Sequence, residues 1–346
     1  MHGLSIEKAG ISVVTLDDNT ATWDDTLTNT CAYNGTSAAS LKCVLFTHAK
    51  DYLWIEGNYS SDAATNDANY TMLLYDTDFI RMHLAHVSGG TTYGTYLKNV
   101  DQGIFTESSV YNGHYGWYGK TLNDSTFINC ISANTDYAFN IYGGDRNKFF
   151  GLRIYNNERY GLYFDHQAYD NIVVGLTGAN NDDYPFIAET TASNNVLMMS
   201  TFANNGNGPI FYEVEKSTIN QILSANTWDG LKFYHGEGHH VSNITSVDND
   251  NGIFFWDTAN AITFDGQLRL GSNTKDCYHY LSPASNTNEV IPDESNDCIA
   301  NPNLDPAPDV TIISGESSSN LFRGFLSSDP AHADNTAITS GSGIVD

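Results

Sequence analysis

Asn129-Cys130-Ile131-Ser132-Ala133-Asn134, followed after a few polar residues by Ala138-Phe139-Asn140-Ile141-Tyr142, is the stretch on which the fold is read. Its second copy is Leu152-Arg153-Ile154-Tyr155-Asn156 with Gly161-Leu162-Tyr163-Phe164-Asp165. The column of asparagines extends through Asn112, Asn134, Asn156, Asn180, Asn204, Asn226, Asn249 and Asn273, in steps of 22, 22, 24, 24, 22, 23 and 24 residues. A short alternating segment precedes each Asn, as in Ile222-Leu223-Ser224-Ala225 and Ile244-Thr245-Ser246-Val247. A second strand follows, opened by a small residue or Pro: Pro185-Phe186-Ile187, Pro209-Ile210-Phe211, Gly230-Leu231-Lys232 and Gly252-Ile253-Phe254. Apolar residues at every second position mark strands with one buried face. Asn and Gly at the boundaries suit corners that need left-handed backbone.

Helices are excluded because no segment of the repeat carries a 3.6-residue apolar stripe and β-branched, aromatic and Asn residues dominate. A β-propeller repeats at about 40 residues or more, roughly twice this period. The expected fold class is all-β, a right-handed parallel β-helix with coils of about 22–24 residues, capped at both ends. Residues 1–49 are expected to form an N-terminal cap and first coils, 50–276 the β-helix, and 277–346 an irregular C-terminal cap or tail. The Asn corner is expected to stack into an amide ladder along the axis.

Coils of this length with an Asn corner resemble the right-handed parallel β-helix superfamily, to which pectate lyases and phage tailspikes belong, over about residues 50–276. The stretch Asn273-Thr274-Lys275-Asp276-Cys277 and the cysteine-bearing tail after it are similar to surface β-helix proteins of Gram-negative bacteria. The resemblance implies a solenoid scaffold. It carries no catalytic motif and by itself fixes no biochemical role.

Composition narrows the partners. The 346 residues hold 41 acidic against 15 basic side chains, a net charge of −26. Such a surface repels phosphate backbones and anionic bilayers, so neither nucleic acid nor membrane insertion is expected. No apolar run reaches the 18 or so residues of a membrane span. Met1-His2-Gly3 opens no signal peptide and reads as a trimmed start, with more chain expected beyond Asp346. Of the five cysteines, Cys31 with Cys43 and Cys277 with Cys298 flank polar loops. Two disulfides are the expectation there, with five reduced thiols as the alternative; Cys130 is left at an inward position. Disulfides would place the protein outside the cytoplasm, extracellular or on a bacterial surface.

Strand alternation turns Phe139, Leu162, Phe186, Ile210, Leu231 and Ile253 inward and Asn140, Tyr163, Ile187, Phe211, Lys232 and Phe254 outward. Two residues further along come Tyr142, Asp165, Glu189, Glu213, Tyr234 and Trp256, also outward. Rings cover the apolar faces of sugars while Asp, Glu and Asn bind their hydroxyls. The expected ligand is therefore a polysaccharide or cell-surface glycan, contacted by Asn140, Tyr142, Tyr163, Phe211, Lys232, Tyr234, Phe254 and Trp256. Coverage of the same face by protein, as in a homotrimer, is the competing reading.

Asp165, Glu189 and Glu213 are the candidate catalytic residues. On adjacent coils about 4.8 Å apart, carboxylates would approach the ~5 Å separation of retaining glycosidases; two coils, about 9.6 Å, would approach the inverting range. An acidic stripe kept for solubility is the plainer reading. A lyase would draw on Asp145-Arg146-Asn147-Lys148, Arg153 and Lys232 with Ca²⁺. The turns Asn180-Asn181-Asp182-Asp183 and Asp248-Asn249-Asp250-Asn251 carry oxygen ligands for Ca²⁺, though solvated turns are favoured. His235, His239 and His240 are taken as surface histidines; no metal site and no cofactor beyond that Ca²⁺ are expected. The favoured function is a non-catalytic glycan-recognition module of adhesin or fibre-tip type. The alternatives are a polysaccharide-degrading enzyme, hydrolase before lyase, and an oligomerising stalk.

Overall fold

The computed structural model describes residues 53–60, 70–256 and 262–271, together with short strands at 14–17, 20–23, 43–48, 276–281, 289–290 and 321–322. The described residues form an all-β parallel solenoid of about eight turns, without a helix. The chain divides into two compact units, Met1–Ile172 and Val173–Asp346. Cys31 and Cys298, and with them both expected disulfides, lie outside the described residues, as does most of the two expected caps.

In the first unit, strands Tyr70–Tyr75, Tyr93–Asp101, Tyr115–Asn123, Tyr137–Tyr142 and Tyr160–Asp165 pair in parallel, one per coil. A second wall runs through Arg81–Ser88, Ile104–Thr106 with Ser109–Tyr111, and Thr126–Ile128 with Ile131–Ala133. Each coil sends one large side chain inward from each wall, so like residues stack along the axis. Phe105, Phe127 and Phe149 are fully buried, with ring centroids 4.5 and 5.0 Å apart. Across the core Trp117 lies parallel to Phe139 at 5.7 Å. Burial of one such ring contributes about 2–3 kcal/mol, and the repeat multiplies that term. Cys130 is among these buried residues, a free thiol whose pKa burial pushes up to about 12.

In the second unit the strands Phe186–Glu189, Ile210–Glu215, Asp229–Glu237 and Asn251–Trp256 form the corresponding wall. Here the register departs from the expected one. Ile187 pairs with Ile210, and Ile210 with Lys232, so Phe211 follows Ala188 into the core and is fully buried instead of facing out. Aligning Pro185-Phe186 with Pro209-Ile210 misleads by one residue, and in a period-2 strand one residue reverses the face. Glu213 is displaced by the same slip. Tyr212 takes the place beside Glu189, while Glu213 sits exposed at φ 54° within the strand Ile210–Glu215, between the paired Tyr212 and Val214.

The corners also differ in detail from expectation. Asn112, Asn134, Asn156, Asn180, Asn204 and Asn226 all adopt φ between 53° and 59°, a conformation Asn tolerates through its short polar side chain. In the next coil Asp248, not Asn249, holds that position. Asn249 belongs to the neighbouring, buried column, which carries axial hydrogen bonds of its own beside the exposed Asn226–Asn204 amide pair. Asn157 Oδ1 accepts from Thr135 N (3.1 Å) and Oγ1 (2.7 Å). Asn205 Oδ1 accepts from Asn181 N (3.0 Å) and Nδ2 (2.7 Å), and Asn249 Oδ1 from Thr227 N (2.9 Å) and Oγ1 (2.8 Å). A second inward ladder joins Ser125 N to Asn147 Oδ1 at 3.0 Å and Asn147 N to Asn171 Oδ1 at 2.9 Å. These side chains satisfy backbone N–H groups that the turn takes away from the sheets.

His239 is buried, correcting its placement among surface histidines. Its Nδ1 accepts from Ser217 N at 3.2 Å, and burial lowers its pKa to about 4, partly offset by the Val214 carbonyl.

Two outcomes test this account. Asn205→Ala strands the Asn181 donors and the Gly178 carbonyl that Asn205 Nδ2 reaches at 3.1 Å, and should cost about 2–3 kcal/mol in chemical denaturation. Its neighbour Asn204→Gly, at a corner glycine accepts, should stay within about 0.5 kcal/mol. For His239, the unfolded chain takes up a proton near pH 6.5 that the folded chain refuses until about 4. Stability is therefore whole above that range and declines as pH falls through it, by on the order of 3 kcal/mol. Melting temperatures across pH 4–7 should show a shallower slope for His239→Gln.

Candidate functional site

Three of the coils in the first unit open their sheet strand with Tyr-Gly-x-Tyr: Tyr93-Gly94-Thr95-Tyr96, Tyr115-Gly116-Trp117-Tyr118 and Tyr160-Gly161-Leu162-Tyr163. A fourth reads Tyr137-Ala138-Phe139-Asn140. Residues three apart cannot share a face in a regular strand. They do here because both residues between the tyrosines are buried, and the first of them admits no side chain where Gly116 stands: a Cβ would lie 2.2 Å from Ser132 Oγ and 2.6 Å from the Ala138 carbonyl oxygen. Both flanking tyrosines then emerge on the outer side.

Register turns these pairs into rows. Tyr70, Tyr93, Tyr115, Tyr137 and Tyr160 follow one another coil by coil, and Leu73, Tyr96, Tyr118, Asn140 and Tyr163 form the row beside them. In the first row Tyr70–Tyr93, Tyr93–Tyr115 and Tyr115–Tyr137 stack at 5.1, 5.1 and 4.7 Å, and Tyr160 meets Tyr137 edge-on at 5.3 Å. Tyr96 stacks on Tyr118 at 5.0 Å. Contacts of 4.9–5.3 Å between the rows, Tyr93 to Tyr96, Tyr93 to Tyr118, Tyr115 to Tyr118 and Tyr160 to Tyr163, close the array. Every one of these eight rings is half-buried.

A third row, Tyr75, Lys98, Lys120, Tyr142 and Asp165, borders the array. Lys98 Nζ lies 4.5 Å over the Tyr75 ring and Lys120 Nζ 5.4 Å over Tyr142. Asp165 is nearly buried and hydrogen-bonds His166 Nδ1, whose ring stacks on Tyr142 at 4.8 Å. On the opposite border Arg159 donates to Tyr137 Oη at 2.9 Å, and His114 pairs with Asp136 beside Tyr115 and Tyr137. Burial raises the phenol pKa values of Tyr96 and Tyr118, and neighbouring phenols add to it; the Asp165 charge pushes Tyr118 further up.

The residues picked from sequence fall in several places. Tyr142, Tyr163 and Asp165 stand on this array, and Asn140 occupies its row but is buried between neighbours. In the second unit Lys232 and Phe254 occupy one row, both nearly buried. Lys232 Nζ is held 3.4 Å from Asp229 Oδ2 and 3.4 Å from Tyr184 Oη, and 5.0 Å over the Phe254 ring. Tyr234 stacks face to face on Tyr212 at 4.4 Å. Trp256 follows Tyr234 in register, and its side chain lies outside the described residues. With Phe211 in the core, Tyr212 and not Glu213 stands in register with Glu189, so the expected row of adjacent Glu189 and Glu213 does not form.

The basic residues considered for a lyase do not converge. Arg146 makes a bidentate pair with Asp124 (2.8 and 2.7 Å) at an exposed corner, which lowers the Asp124 pKa. Arg153 projects from the other wall of the coil. Among the described residues, no group of three or more His, Cys, Asp or Glu is placed to hold a metal ion, and no helix is long and apolar enough to cross a membrane. In the two candidate calcium turns, Asn181 and Asn249 are spent in the buried ladder and Asp183 accepts from Asn207 Nδ2 at 3.0 Å.

Comparison with known proteins places residues 72–268 in a family described as a right handed beta helix region. No curated protein sequence matches the chain. Among solved structures, the A-module of the Azotobacter vinelandii mannuronan C-5 epimerase AlgE6 aligns at 13% identity and TM-score 0.53, over 70% of this chain and 73% of that one. The AlgE4 A-module of the same organism aligns at 13% identity and TM-score 0.54, over 69% and 72%. At that identity the likeness is one of fold alone.

The array makes a spectroscopic prediction. In a phenolate absorbance titration, Tyr96 and Tyr118 should ionise after the better solvated tyrosines, and Tyr118→Phe should remove one late proton.

Proposed function

The chain belongs to the right-handed β-helix family, and on that scaffold we propose that it binds a polysaccharide laid along the tyrosine rows of its first unit. The observation that carries this reading is the continuous array of eight half-buried tyrosine rings, repeating once per coil along the axis. A ligand that fits such a surface is itself a linear repeat with flat apolar faces and many hydroxyls. Rings stack against the sugar faces, while the phenol hydroxyls, Asp165, His166 and Arg159 at the borders meet the hydroxyls. Lys98 and Lys120 put positive charge along one border of an otherwise acidic chain, which favours a polymer bearing anionic substituents. The two Azotobacter enzymes are named for mannuronan, itself a polysaccharide.

In this reading the protein is a non-catalytic recognition module, secreted or displayed on a bacterial surface. A second reading has one specific observation in its favour. The carboxylate of Asp165, nearly buried, is bonded to His166 and close enough to Tyr118 to perturb its phenol, a grouping suited to proton transfer on a bound sugar.

Size-exclusion chromatography with labelled bacterial, algal and plant polysaccharides separates these readings. Co-elution of protein with intact polymer is expected, weakened about tenfold or more by Tyr93→Ala and by Tyr163→Ala, which each remove one ring of the array. Polymer shortening that Asp165→Asn abolishes would establish catalysis instead. Absence of any co-elution, with a homo-oligomer that Tyr163→Ala dissociates, would mark the array as a protein interface.

A further inference from the structure

The second unit carries a different polar feature at its asparagine corner. There Asn180, Asn204 and Asn226 stand on three successive coils, exposed and in left-handed conformation, and Asn226 Nδ2 donates to Asn204 Oδ1 at 3.2 Å. Beside them opens a cleft of about 450 Å³, lined by these amides with Asp182 and Gly206. At its edge the backbone of two coils comes so close that only glycine fits: a Cβ at position 206 would stand 1.9 Å from the Asp182 carbonyl oxygen. On the next coil Trp228 N donates to the Gly206 carbonyl at 3.1 Å, which sets the Trp228 backbone one coil on from Gly206 and two residues after Asn226, both of which line the cleft. Its side chain is 68% exposed, the most exposed large apolar residue among those described.

We propose that this corner is a second saccharide-binding site, separate from the tyrosine rows, for a neutral, hydroxyl-rich sugar held between the amides and the Trp228 indole. Amides offer a donor and an acceptor on each side chain and no charge, which matches hydroxyl groups better than carboxylates or phosphates. A single carboxylate, Asp182, accepts from two neighbouring hydroxyls but falls short of the several acidic ligands a calcium ion takes. The indole supplies the apolar face that a pyranose ring covers, and its burial by a sugar removes apolar surface from water. The buried Asn181 and Asn205 beneath, hydrogen-bonded to each other, hold the cleft floor rigid, so little ordering is required on binding.

Affinity electrophoresis of the full chain in native gels containing dextran, galactomannan, glucomannan or xyloglucan tests the site. Retardation in at least one gel is expected, with apparent affinity falling fivefold or more in Trp228→Ala and in Asn226→Gly and retained in Trp228→Phe. Leu223→Ala, at an exposed apolar position outside both sites, should migrate as the parent protein does in that gel. No retardation in any of the four gels, or equal retardation of Trp228→Ala, overturns the site. Retardation lost in Tyr163→Ala but kept in Trp228→Ala does so too, while leaving the tyrosine rows standing. Retardation that EDTA abolishes also refutes it, since a bound cation would then be the contact. Trp228 is exposed and its removal leaves the core intact, so loss of binding in that variant does not report misfolding.

Discussion

Where a parallel solenoid turns, backbone N–H groups on consecutive coils face inward without a strand partner, and leaving them unpaired in the core would cost more than the adjacent rings return. The buried oxygens of Ser125, Asn147, Asn157, Asn205 and Asn249 take them up, each bridging one coil to the next. These bonds lock the axial register. With register locked, every other side chain meets its equivalent at nearly the same height on the neighbouring coil, which is why phenylalanines stack inside and tyrosines outside.

The tyrosine rows follow from this with one further condition. A strand that simply alternates shows the solvent one residue in two, and Tyr93 and Tyr96 would then oppose each other. In the three Tyr-Gly-x-Tyr strands the glycine and the residue after it are both buried, so two tyrosines three apart emerge together. Packing among the rings keeps each half out of water while leaving a broad face exposed. That burial raises the phenol pKa values of Tyr96 and Tyr118.

Charge is distributed with a purpose that composition alone conceals. The chain has 41 acidic and 15 basic residues, yet Lys98, Lys120 and Arg159 all lie against aromatic rings at the borders of the tyrosine rows. In the second unit Lys232 is likewise held between Tyr184 and Phe254, but there Asp229 neutralises it and burial removes it from solvent. The same residue type thus borders the tyrosine rows in one unit and is packed internally in the other.

The period, the strand faces of most coils and the polar corners were legible in the amino-acid order, because a side-chain period of two and an Asn at each left-handed corner are local properties. Asn140 beside Tyr163 and Tyr142 beside Asp165 could be read off the same alternation. Three features were not legible by that rule. Phe211 turned inward because Pro209 enters its strand one residue out of step with Pro185, and the pairing partner alone reveals the slip. Asn249 left the exposed column for the buried ladder, a choice made by which backbone donor lacked a partner. The Tyr-Gly-x-Tyr signal was present in the letters, but its meaning depends on close packing of the glycine against the next coil. What the sequence by itself determined was the repeat and hence the solenoid. Tertiary structure decided which aromatic residues became core and which became surface, because that is settled by the neighbouring coil and not by the residue's own strand.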